Sequence, residues 1–294
     1  MGSQVLAQDT FILLYFTIMK RIIFASFLLL LLIHNGFAQS SAGLTITLEE
    51  NNGRLTIVRG SGFVRELVIP EEINGMPVTA IGDYAFAKRD LESVVIPDSV
   101  TSIGQGAFTE NRLTELVIGD NITEMGIAAF SYNRLTRITI GNGISVIPRG
   151  CFMGNRLRTV ELPNTLTTIE DYAFFGNNLS GITIPPAVTS IGEGAFAGNR
   201  ITILVIGDGV ARIGDGAFFN NDLNRITIPG VVDEVGNRAF NNRPKASSFA
   251  RRVNYFDIYG ELLFSTDDSF DTYYNSQGRR SGTYIFADGE WQLN

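Results

Sequence analysis

The chain is poor in the residues from which most reactive sites are built. Its 294 residues hold one cysteine, one histidine, one tryptophan and three lysines (Lys20, Lys88 and Lys245). A Ser-His-Asp or Cys-His centre needs an imidazole, and a zinc site draws on several Cys or His ligands. One of each leaves no material for either. Cys151 has no second cysteine with which to close an internal disulfide. No basic tract occurs, and 23 Lys+Arg face 30 Asp+Glu for a formal net charge of −7. Nucleic-acid affinity rests on neutralised phosphates, so such a chain is a poor candidate for that partner. Carboxylates are numerous enough for a hydrolytic pair, but they scatter over turns and strand faces and no pair stands out. The expectation is a protein with no catalytic residue, no cofactor and no metal.

Residues 1–38 differ from the rest. Lys20 and Arg21 precede a 12-residue apolar run, Ile22–Ile33, and Gly36-Phe37-Ala38 places small residues at −3 and −1 of a cleavage point. This is the pattern of a secretory signal peptide, with Met19 the better start and Gln39 the mature N-terminus. The run falls short of the roughly 20 apolar residues of a membrane span, so no stable span is expected after cleavage. His34, the one histidine, lies inside this segment.

Most of the remaining length is a repeat. The segments IGDYAF, IGQGAF, MGIAAF, IPRGCF, IEDYAF, IGEGAF, IGDGAF and VGNRAF end on Phe86, Phe108, Phe130, Phe152, Phe174, Phe196, Phe218 and Phe240, each 22 residues after the last. Other columns share the period. Leu91, Leu113, Leu135, Leu157, Leu179, Ile201 and Leu223 open the units, and Val94–Ile96, Leu116–Ile118 and their equivalents complete an LxxLxL strand ended by Pro or Gly. One such coil cannot bury its own apolar face, whereas stacked coils turn each column into a continuous seam. The expected fold is a right-handed solenoid of α/β class. Short parallel strands form one wall, and turns or 3₁₀ pieces form the Ala-Phe wall.

The caps read differently. Leu44–Leu48 and Leu55–Arg59 flank Asn51-Asn52-Gly53, which predicts a hairpin cap over 39–63. Arg243 breaks the Asn column, and 244–294 reads as a β-rich C-terminal unit. Hairpins are expected there around Tyr259-Gly260 and Asp288-Gly289.

Within the repeats, LxxLxIPxxVxxIGxxAFxxNxL resembles the BspA-like leucine-rich repeats of bacterial cell-surface proteins. The resemblance covers about residues 64–243, and VRELVIPEEINGMPVTAIGDYAF from Val64 to Phe86 is similar to that family's opening unit. It implies a leucine-rich-repeat solenoid and adhesion to host, matrix or other cell-surface proteins.

Several columns invite a chemical role. Asn111, Asn133, Asn155, Asn177, Asn199 and Asn221 suggest a ligand row, but a ladder that satisfies turn backbone groups is the simpler expectation. Cys151 occupies an alanine column, the place of a small buried residue. Asp98, Asp120, Asn142, Asn164 and Asp208 follow the turns and fit turn chemistry better than calcium. Arg112, Arg134, Arg156 and Arg200 read as solvated turn residues. The outward strand positions are the candidate protein-binding face: Glu66, Ser93, Glu115, Arg137, Thr159, Ile203 and Arg225 in one column. Val95, Val117, Thr139, Glu161, Thr183, Val205 and Thr227, with Val68 before them, form its neighbour. The expectation is an exported, non-enzymatic, adhesin-like scaffold that binds a protein partner, secreted, periplasmic or on the cell surface. The alternative is a structural or assembly component of the cell envelope that docks through 244–294.

Overall fold

In a computed structural model the described residues are 37–39, 44–229 and 231–241, together with five strands beyond them, Val253–Phe256, Leu262–Thr266, Asp271–Tyr274, Arg280–Ala287 and Glu290–Leu293. The expected signal sequence, Met19 start and Arg243 column break lie outside these, apart from Phe37 and Ala38. Every described element is a strand. The coils are named below by the Phe that each carries.

The eight coils stack into one solenoid. Their apolar columns face inward, and Leu91, Leu113, Leu135, Leu157, Leu179, Ile201 and Leu223 are fully buried. The eight Phe rings stack in sequence, 5.2–5.9 Å between centroids. The Ala-Phe wall is made of turns. A further ladder runs through it: each Phe N–H donates to the carbonyl one coil on, from Phe86 to Ala107 through Phe218 to Ala239. Aligned rings in a water-free column gain dispersion and offset stacking beyond their buried area.

A second strand wall was not expected. The residues before each Gly-x-x-Ala-Phe segment form two-residue strands in parallel, such as Thr168–Ile169 beside Ser190–Ile191 and then Arg212–Ile213. Two residues are too few to show alternation in a sequence. The N-terminal hairpin, Thr45–Asn51 with Arg54–Ser61, forms as expected, with positive φ at Asn52 and Gly53 in the two-residue turn. It caps this second wall, because Arg54–Ser61 pairs in parallel with Met76–Ile81. The strand Phe37–Gln39 adds to its outer edge and crosses the expected cleavage point.

The strand wall is less continuous than the repeat implies. It forms three ladders: Glu66–Val68 with Ser93–Val95, Glu115–Ile118 with Arg137–Ile140, and Gly181–Thr183 with Ile203–Val205 and Arg225–Thr227. The Phe174 coil has no strand at Thr159–Glu161. Pro163 does not account for this, since the strands before Pro97 and Pro229 in the same column do pair with the preceding coil.

The second wall opens at one junction, between the Phe130 and Phe152 coils. Gly104, Gly126, Glu170, Gly192, Gly214 and Gly236 each donate their N–H to the preceding coil at 2.7–2.9 Å. Pro148 stands in that column and cannot. The glycines also permit close approach: a Cβ at Gly192 would stand 2.5 Å from the Asp171 nitrogen, and one at Gly104 2.6 Å from that of Asp83. Glu124–Met125 and Val146–Ile147 accordingly belong to separate sheets. The Phe130 and Phe152 rings there are the most widely spaced, at 5.9 Å.

The C-terminal strands form both expected hairpins, Val253–Phe256 with Leu262–Thr266 and Arg280–Ala287 with Glu290–Leu293. Val253–Phe256 also pairs in parallel with Arg225–Thr227. The region read as a C-terminal unit thus begins by extending the third of the strand-wall ladders.

Candidate functional site

Strand geometry sets the candidate face. Successive side chains point to opposite sides, so burial of Leu67, Leu116, Ile138, Ile182 and Leu204 turns their neighbours outward. Glu66, Ser93, Glu115, Arg137, Thr159 and Ile203 are all exposed, as are Val68, Val95, Val117, Thr139, Glu161, Thr183 and Val205. Arg225 and Thr227 lie on a described strand, in register with Ile203 and Val205, but their side chains are outside the described set. Glu66 pairs with Ser93 and Val68 with Val95, while Glu115 pairs with Arg137 and Val117 with Thr139. The face is therefore two rows of side chains about 4.8 Å apart along the solenoid.

The rows are not uniform. Val68, Val95 and Val117 are 53%, 51% and 58% exposed on three consecutive coils. These valines form an apolar run of three outward positions in one row. Ile203 and Val205 form a smaller apolar spot on the Phe218 coil. Between the two lie Arg137, Thr139, Thr159, Glu161 and Thr183. Such a surface offers contact area with a polar centre, which suits recognition by shape.

The polar columns inside the coils have structural work. Each column Asn accepts the N–H of the opening aliphatic residue one coil back. Asn133 takes that of Leu113, Asn155 that of Leu135, Asn177 that of Leu157 and Asn199 that of Leu179. Its amide donates to two Phe carbonyls, as Asn155 does to Phe130 at 3.0 Å and Phe152 at 3.1 Å. The six are buried, and their amides are taken up by the backbone. Turn carboxylates act likewise: Asp120 accepts the Asn142 N–H at 2.7 Å. Cys151 is fully buried in its alanine column, and burial pushes its thiol up to about 12. A thiol in that state is inert.

The sequence reading missed a groove of about 700 Å³ along the second wall. Glu170, Asp171, Glu193, Asp215, Arg149 and Arg212 are among its lining residues. Arg149 bonds Asp171 at 2.6 Å, which raises the guanidinium pKa. Its N–H donates to Glu170 at 2.8 Å, and the Tyr172 hydroxyl, its pKa raised by the contact, bonds Glu193. Its acids thus bond arginine, tyrosine and backbone N–H groups between coils. Among the described residues no group of three or more His, Cys, Asp or Glu is arranged to hold a metal ion. No helix among them is long and apolar enough to cross a membrane. The signal for this groove was the acid column Asp171, Glu193 and Asp215, visible only once the second wall is known.

Comparison with family models agrees with the repeat architecture. A family model described as a BspA type leucine rich repeat region matches in six copies, over residues 79–202 and 189–289. The chain is similar to a leucine rich cell surface protein from Faecalibacterium prausnitzii A2-165, with 25% identity over 71% of this chain and 74% of that one, TM-score 0.44. It is also similar to a leucine-rich repeat protein from Bacteroides ovatus ATCC 8483, with 19% identity over 70% and 67%, TM-score 0.44. The pneumococcal vaccine antigen PcpA is 13% identical over 70% and 79%, TM-score 0.42. No curated protein matches the chain.

Proposed function

The chain belongs to the BspA-type leucine-rich repeat family, and from that premise we propose an exported, non-enzymatic scaffold that binds a protein partner on its concave sheet. It acts as a secreted or cell-surface adhesin-like protein. The observation that carries this reading is the Val68, Val95 and Val117 row, solvent-exposed on a sheet whose reverse side packs on the core. Apolar side chains held in line on a rigid support lose little entropy when a partner covers them. The shortage of imidazole and thiol in the chain suits binding rather than chemistry.

The test uses the full chain and the double variant Val95→Asp/Val117→Asp, with circular dichroism to confirm the fold. Both are titrated against immobilised matrix proteins and intact host cells. Binding by the full chain and loss of most of it in the variant are expected. Equal binding by both would sink the concave-face reading.

A second reading, docking to the cell envelope through the C-terminal strands, is favoured by one observation. Asp271–Tyr274, Arg280–Ala287 and Glu290–Leu293 form a three-stranded sheet separate from both solenoid walls. Retained binding to envelope extracts in the double variant, lost on removing that sheet, selects it.

A further inference from the structure

We propose that Arg134, Arg137, Arg156 and Arg158 form a docking patch for an acidic segment of the protein partner. The proposal rests on the concave-face reading and names the chemistry that the partner brings to it.

Several surface cations of the solenoid are paired between coils. Lys88 meets Glu110, Arg112 meets Asp90, Arg149 meets Asp171 and Arg212 meets Glu234, each one coil away. One corner column sets arginine beside arginine. It reads Asp90, Arg112, Arg134, Arg156, Asn178, Arg200, Asp222. Asp90 neutralises Arg112, but the neighbours of Arg134 in the column are Arg112 and Arg156. Arg137 and Arg158 lie within three residues of them on the same two coils. All four are exposed. Among the described residues none of the four has an ion-pair partner within 4 Å, although Glu115 lies beside Arg137 in register. Like charges side by side on neighbouring coils oppose stacking. In a chain of net charge −7, four such cations on two adjacent coils are a local concentration of positive charge.

Their chemistry narrows the occupant. All four are arginines, whose planar fork matches a carboxylate bidentately. The patch continues into the face that carries Val95 and Val117, with Thr139 between. A ligand that satisfies both must carry carboxylates and apolar side chains together, which describes a polypeptide segment rich in Glu or Asp. A sulfated polysaccharide offers the anions without the apolar groups.

The experiment uses the full chain and a labelled peptide of alternating glutamate and valine, with dextran sulfate and anionic phospholipid vesicles as rival probes. The quadruple variant Arg134→Gln/Arg137→Gln/Arg156→Gln/Arg158→Gln is compared with Arg54→Gln/Arg59→Gln, which removes exposed charge from the cap. Peptide affinity at low ionic strength is expected to fall about tenfold in the first and less than about twofold in the second. The thermal midpoint of the quadruple variant should stay level or rise, because repulsion is removed. Equal affinity in all three proteins overturns the proposal, as does binding of dextran sulfate or vesicles with none of the peptide. If Val95→Asp/Val117→Asp abolishes partner binding while the arginine variant does not, the scaffold reading stands and this one fails. If the peptide binds through the arginines and no matrix protein or cell binds the chain, the reverse holds.

Discussion

Replacing Asn155 with leucine tests the internal ladder most directly. The side chain is 5% exposed and ties two neighbouring coils. Its oxygen accepts the Leu135 N–H at 3.0 Å, and its nitrogen donates to the Phe130 and Phe152 carbonyls. Those two carbonyls keep one partner each, since Phe130 also accepts from Asn133 and Phe152 from Asn177. Only the Leu135 N–H is left without an acceptor among these groups. Two lost hydrogen bonds and one orphaned buried donor sum to about 2–5 kcal/mol, less whatever the added apolar burial returns. Asn155→Asp separates the terms. It keeps an acceptor for Leu135 but turns a second oxygen toward two carbonyls. At neutral pH it should destabilise more than leucine does. Burial beside those carbonyls raises its folded pKa above the unfolded value of about 3.9. The penalty for the charge is therefore absent below the unfolded value and grows as pH rises through the folded one. Chemical denaturation followed by circular dichroism, with hydrogen exchange at the Leu135 amide, reads both variants. The reasoning is refuted if Asn155→Leu lies within about 0.5 kcal/mol of the parent, or if Asn155→Asp is the more stable variant at neutral pH.

Two further outcomes follow from the turns and the open junction. Gly106 and Gly216 both have φ of +56°, but a Cβ at Gly106 would stand 2.5 Å from the Tyr84 ring, against 3.4 Å to the nearest atom at Gly216. Gly216→Ala should cost about 1–2 kcal/mol from the left-handed backbone alone. Gly106→Ala should cost more, and Tyr84→Ala should recover the difference; equal costs in thermal denaturation would remove the ring from the explanation. Pro148→Gly restores the N–H that this column gives to the preceding coil. Its amide should become protected in hydrogen exchange, whereas exchange as fast as an exposed turn would show that something other than the missing donor holds the wall open.

Much of the fold is legible in the amino-acid order because stacking is periodic. The Phe column, the Asn ladder, the Cys151 slot and both hairpin turns each depend on a residue type repeated at a fixed spacing or on a short turn signature. The outward residues are legible for the same reason, since burial of Leu116 and Ile138 dictates where Val117 and Arg137 point. What escaped depends on relations between coils. The second wall consists of pairs such as Ser190–Ile191, too short to show a period. The opening of the second wall includes one missing N–H, and Pro148 looks like an ordinary variant until its neighbours' hydrogen bonds are known. The arginine column is plain in the sequence, but its lack of counter-ions becomes visible only when each coil's neighbour is known.

The unbroken spacing of the Phe rings has a consequence for inheritance. The Phe and Asn ladders present the same bonds from coil to coil, so a recombination event that duplicates or deletes one coil leaves those ladders already matched. The face can thus lengthen or shorten by single strands without an intermediate that fails to fold. The Phe152 coil is the exception. Its Pro148 cannot close against a preceding coil wherever it is moved, so a copy of it would carry a second open junction along the molecule. Coils on either side of it are free to vary in number.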